Sequence, residues 1–132
     1  MIGLAVLIGA IFGLMIVFIM FRSGMLAERS GATMLLVAIA SFYPVFAVTS
    51  GDPLAVIVHV AIFAGFAALA LRGFQHGLYI IAGGLIAHGL FDLSLMLTLI
   101  TGPTWWPAFC ASLDIVAGLA IVRLIQTGKA PR

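Results

Sequence analysis

The stretch IGLAVLIGAIFGLMIVFIMFR, residues 2–22, carries no charge until Arg22. As a helix, an apolar run of this length covers about 30 Å, the hydrocarbon thickness of a bilayer. A secretory signal peptide places positive charge ahead of an apolar core of about 7–15 residues. Here the run is longer and the charge follows it, so the stretch reads as an uncleaved first transmembrane helix with its N-terminus translocated.

Moving outward from this first span (about 2–21), four more apolar stretches follow, at roughly 32–50, 54–71, 77–100 and 108–125. The third and fifth are the shortest. Backbone groups in lipid must be paired within their own segment, which leaves helices, and none of the stretches shows the period-two alternation of barrel strands. Chain breakers fall between the spans: Ser50-Gly51-Asp52-Pro53, with Asp52 as a turn residue or helix cap, then Gly102-Pro103 and Pro107. Pro44 lies inside the second span, where it should kink the helix and release a backbone carbonyl near residue 40. The expected fold is an all-α polytopic bundle of five transmembrane helices, one domain over residues 1–132.

Composition and charge agree with that reading. Hydrophobic residues make up 64% of the chain and charged residues 8%, against about 25% charged in a soluble domain, so the chain could not cover a water-facing surface. All six basic residues fall on one side of a five-span topology. Arg22 and Arg29 are in the first connection, Arg72 is in the third, and Arg123, Lys129 and Arg132 mark the C-terminal end. The second and fourth connections, Ser50–Asp52 and Thr101–Pro107, carry none. The positive-inside rule then sets the N-terminus out and the C-terminus in, and Trp105 and Trp106 fall at the outer interface. The expected location is a cell membrane, the bacterial inner membrane before others. The pI near 9.2 reports topology and contact with anionic headgroups rather than nucleic acid. A lone cysteine, Cys110, excludes an internal disulfide. Gly9 and Gly13 form a GxxxG, and Gly83, Gly84, Ala87 and Gly89 crowd the fourth span. Such residues serve close helix packing, within the chain or between copies in a homo-oligomer or larger membrane complex.

Four ionisable residues sit inside the spans: His59, His88, Asp92 and Asp114. Each carries an insertion cost, about 2.5–3.5 kcal/mol for an Asp at mid-helix, so each requires a reason. Counting at the helical rise from the outer turns puts His59, Asp92 and Asp114 about 9–14 Å deep, with Tyr43 at the same level and His88 one turn deeper. His88 and Asp92 share a helix face at i,i+4, as do Cys110 and Asp114. A short connection makes the fourth and fifth spans antiparallel neighbours, so the two faces can meet. The candidate ligand- or proton-binding residues are therefore His88, Asp92, Asp114, His59 and Tyr43. Candidate metal ligands are His88, Asp92, Asp114 and Cys110. With no Lys or Arg at this depth, the two carboxyls must be protonated, paired with His⁺ or balanced by a bound cation. A hydrogen bond kept only for packing is the competing reading. Met96, four residues after Asp92, extends the stripe as a gap-filler; His76 and Glu28 read as solvated loop residues.

The block Ala87-His88-Gly89-Leu90-Phe91-Asp92, followed by Pro107-Ala108-Phe109-Cys110 and then Asp114, resembles a pattern in small uncharacterised bacterial multi-pass membrane proteins. The resemblance covers about the last third of the chain. It implies a polar site at HGxxD and PxFCxxxD, and it lends no activity. A further His often follows the Asp in that pattern, and residues 93–97 supply none here.

Three functions stay open from sequence. The first is an accessory membrane protein that holds a metal ion, a proton or a small ligand from the outer side. The second is a subunit of an oligomeric transporter or channel, although the inner halves of the spans lack the polar stripe a conduction path needs. The third is a small membrane-embedded enzyme. No nucleophile with a paired base is evident, so a non-enzymatic role ranks above it. The cofactor expectation is limited to a metal ion.

Overall fold

The computed structural model describes residues 1–96 and 103–132. The end of the fourth span (97–100) and the start of the fourth connection (Thr101 and Gly102) lie outside the described residues. Among the described residues all regular structure is helical, in the order α1 (Ile2–Arg22), α2 (Ser30–Ala40), α3 (Phe42–Ser50), α4 (Pro53–His76), α5 (Leu78–Leu95) and α6 (Trp106–Gln126). Taking α2 and α3 as one unit, Ser30–Ser50, there are five units long and apolar enough to cross a membrane.

The second unit is interrupted where Pro44 requires. Pro44 has no N–H to return to the Ala40 carbonyl, and the helix passes through a turn at Ser41. There the Ser41 amide donates to both Val37 and Ala38 carbonyls at 3.2 Å, and the Ser41 hydroxyl donates to Ala38 O at 2.6 Å. At the next boundary Asp52 caps α4 by accepting the Leu54 amide at 2.9 Å, with Pro53 at the first helical position.

Two expected boundaries are corrected. The third span, read as 54–71 and short, belongs to a helix of 24 residues that ends at His76. Arg72-Gly73-Phe74-Gln75-His76 is therefore its last turn, exposed except at Gly73, and His76 is helical instead of part of a loop. Hydropathy marks where the apolar run stops, but a helix continues until a residue breaks it. Here the breaker is Gly77, which joins α4 to α5 alone at φ 149°, a conformation that favours glycine. The fifth span likewise begins at Trp106, so this indole starts α6 instead of lying in the connection.

Close backbone contacts set the arrangement. α6 is flanked by α1 and α5; α5 also meets α2 and α4, and α4 meets α2 and α3. A Cβ at Gly9 would run into the Phe109 carbonyl and the Ser112 hydroxyl, and one at Gly13 into Leu113 O, so the GxxxG packs α1 on α6 within the chain. Gly89 lies against Ala111 and Ile115 of α6, and Gly118 against Ala82 and Ile86 of α5, which makes those helices antiparallel. Gly84 takes Leu36 and Leu69, whereas Gly83 and Ala87 are exposed. These alternations bring the basic residues to one end of the bundle. There Arg29, at φ 64°, donates to the carbonyls of Phe74, Gln75 and Arg132 at 3.2–3.3 Å.

The core near that end is aliphatic, built on Leu36, Leu78, Ile81, Leu85, Ala117 and Ile121. The outer faces are equally apolar. On α1, Leu4, Leu7, Ile11, Leu14 and Phe18 are all exposed, and α4 buries almost none of its length. An apolar surface this continuous is consistent with a membrane protein.

Candidate functional site

The polar cluster stands at the opposite half of the bundle from the aliphatic core. α5 supplies His88 and Asp92 on one face, and α6 supplies Asp114 across the interface. Gly89 explains why they meet. A Cβ there would approach Ala111 O at 2.9 Å and the Asp114 Cβ at 3.2 Å, so only glycine beside His88 lets α6 come this near. Gly118 plays the reciprocal part lower on α6, against Ala82 O at 2.8 Å.

The resulting geometry is tight. His88 Nδ1 and Asp114 Oδ2 share a hydrogen bond at 2.7 Å, and Asp92 Oδ2 lies 3.4 Å from the same nitrogen. One ligand atom from each residue falls within 4.8 Å of the others. That brings the two carboxyls together, as their matched depth and facing helix surfaces allow. All three side chains are buried, at 1%, 0% and 0% exposure, so none faces outward from the bundle. One ring nitrogen thus stands between two carboxyl groups. Both oxygens of Asp92 and Oδ1 of Asp114 are buried without a hydrogen-bond partner among the described residues.

Aromatic rings enclose the imidazole. Phe66 of α4 meets it edge-on at 4.8 Å between centroids, with Phe91 at 6.1 Å and Tyr43 of α3 at 6.3 Å. Tyr43 is buried, and its hydroxyl approaches the Asp92 carboxylate without completing a hydrogen bond of good geometry. The structure therefore brings Tyr43 to the cluster, as its depth suggested. His59 is one ring further out. It is half-buried on α4 and stacks on Tyr43 at 5.7 Å and 18°.

The fourth candidate metal ligand and the gap-filling Met96 fall outside this close group. Cys110 is buried one turn before Asp114 on α6, yet the close group of ligand atoms consists of His88, Asp92 and Asp114. Met96 caps α5 and lines an apolar groove with Ile2, Val6 and Ile115, away from the carboxyls. Sequence reasoning missed Phe66 and Phe91, because an aromatic inside an apolar span carries no mark of what it faces.

No family model, curated protein or solved structure matches this chain. The pattern HGxxD…PxFCxxxD therefore rests on its own geometry, in which Gly89 sets the approach and His88, Asp92 and Asp114 converge.

The donor set suits a small cation. Metal–ligand bonds of about 2.0–2.2 Å put neighbouring ligands of a tetrahedral ion about 3.3 Å apart. The trio spans 2.7 to 4.8 Å, so small side-chain adjustments would suffice. An imidazole with two carboxylates is a ligand class shared by several first-row divalent metals.

Proposed function

We propose that this chain is a small multi-pass membrane protein, N-terminus outside and C-terminus in the cytoplasm, that holds a metal ion at His88, Asp92 and Asp114. It acts as an accessory binding protein reached from the outer side of a cell membrane, with protons taking the place of the ion when it is absent. The observation that carries the reading is the set of buried carboxyl oxygens that lack a hydrogen-bond partner among the described residues, gathered around one imidazole nitrogen.

Magnitudes favour a functional site over a packing contact. Two aspartates at membrane depth cost about 5–7 kcal/mol on insertion scales. An interhelical hydrogen bond in a bilayer returns on average about 0.6 kcal/mol and at most about 1.7. Stability alone does not account for the trio. Below it Leu85, Ile81 and Ile121 close the bundle with aliphatic packing, which supports binding from one side over conduction through the chain.

The test is elemental analysis of detergent-purified protein after loading with Zn²⁺ or Mn²⁺ and desalting. About one ion per chain is expected in the wild type, and Asp92→Asn should lose it while circular dichroism remains helical, because an amide keeps hydrogen bonding and drops the charge. Wild-type protein that retains neither ion overturns the metal reading, as does equal retention by Asp92→Asn.

A further inference from the structure

The GxxxG pinches α1 against the backbone of α6, and beyond it an open groove runs along the two helices. Gly9 and Gly13 sit against the backbone of Phe109 and Leu113, while Val17 and Phe21, one and two turns further on, carry bulk. Below the pinch the helices border an open groove of about 370 Å³, walled by Leu14, Val17, Phe18, Phe21, Ala120 and Leu124, with Arg123. Arg123 is its one charged wall, and it is exposed, with no hydrogen bond or ion pair from its guanidinium among the described residues. A second apolar groove on the other side of α1, lined by Ile16, Met20 and Met34 among others, has no charged residue.

Register adds a second cation. Gly13 meets Leu113, and Arg22 and Arg123 follow those residues by nine and ten positions on parallel helices, so the two arginines end at one level. Glu28 is the sole acidic residue near this end, against six basic ones. An apolar channel along the helices with unpaired guanidinium at its mouth is complementary to one kind of molecule: an acyl chain carrying an anionic headgroup.

We infer that the α1–α6 groove is a binding site for an anionic phospholipid of the inner leaflet, its acyl chain lying along Leu14–Phe21 and its phosphate held by Arg123 with Arg22 at the same level. The inference rests on the membrane reading proposed above and is independent of the metal. Arginine suits the role because its planar fork binds phosphate through two donors and its stem covers the apolar wall. The uncharged groove beside α1 would take any lipid tail without choosing a headgroup.

The test uses the full chain in nanodiscs of equimolar phosphatidylglycerol and phosphatidylethanolamine, with lipids that stay bound after transfer to detergent counted by native mass spectrometry. Wild type should retain one phosphatidylglycerol in preference to phosphatidylethanolamine. Arg123→Gln should lower that preference about fivefold, the weight of one basic residue against an anionic surface. Ala120→Phe, which fills the groove and keeps the charge, should lose the bound lipid, while Arg132→Gln should change nothing. Equal preference in wild type and Arg123→Gln, an unaffected Ala120→Phe, or an equal fall in Arg132→Gln overturns the site. A chain absent from the membrane fraction overturns the parent reading and this one with it; a membrane-inserted chain without preference overturns this one alone.

Discussion

At Gly89 the added Cβ of alanine would come within 2.8–2.9 Å of Ile115 Cγ1 and Ala111 O, and a backbone carbonyl cannot swing aside as a side chain can. Gly89→Ala should therefore push α6 from α5 and lengthen the 2.7 Å bond between His88 and Asp114. The overpacking cost is about 1–3 kcal/mol. Loss of bound metal with a lowered denaturation midpoint is the expected result, and unchanged metal content would show that the close approach is unnecessary. At this scale the sequence was informative about which residues form the buried cluster. Ionisable groups in an apolar span are conspicuous, and the i,i+4 spacing of His88 and Asp92 places them on one face without further knowledge. It was silent on which oxygen faces which nitrogen, because that depends on a helix separation set by Gly89 and Gly118 together.

Among the elements, α1 meets α6 through Gly9 and Gly13, whereas the cluster lies between α5 and α6. The two contacts use different faces of α6 and should separate experimentally. Gly9→Leu drives a side chain into the Phe109 carbonyl and the Ser112 hydroxyl, with a cost of about 1–3 kcal/mol and a matching loss of resistance to denaturation. Metal retention should stay at the wild-type level; a Gly9→Leu protein that folds but loses its ion would mean that α1 supports the site. The break between α2 and α3 was legible from Pro44, since an imino acid inside a helix has one consequence for the backbone. The end of α4 was not. Its last turn is polar enough to resemble a connection, and Gln75 and His76 are as compatible with a helix end as with a loop.

For the molecule as a whole, every basic residue gathers at one end, and Arg29 ties the end of α4 to the C-terminal residue there. A reporter inserted at Gly77 or fused to Arg132 should register in the cytoplasm, and labelling of a cysteine placed at Trp105, in a Cys110→Ala background, should occur from outside. A reporter at Gly77 found outside would reverse the orientation and put the cluster in the inner half. By itself, the amino-acid order determined five apolar units, their alternation, the break at Pro44 and the position of each polar group along its helix. These follow from local terms, namely transfer free energy per residue and a fixed rise per residue. Only the tertiary structure decided that the GxxxG packs inside the chain, that Tyr43, Phe66 and Phe91 enclose His88, and that a groove along α1 and α6 carries Arg123 in its wall. Those are outcomes of how five apolar surfaces share contacts, and in a chain this uniformly apolar the residue types scarcely distinguish one helix face from the next.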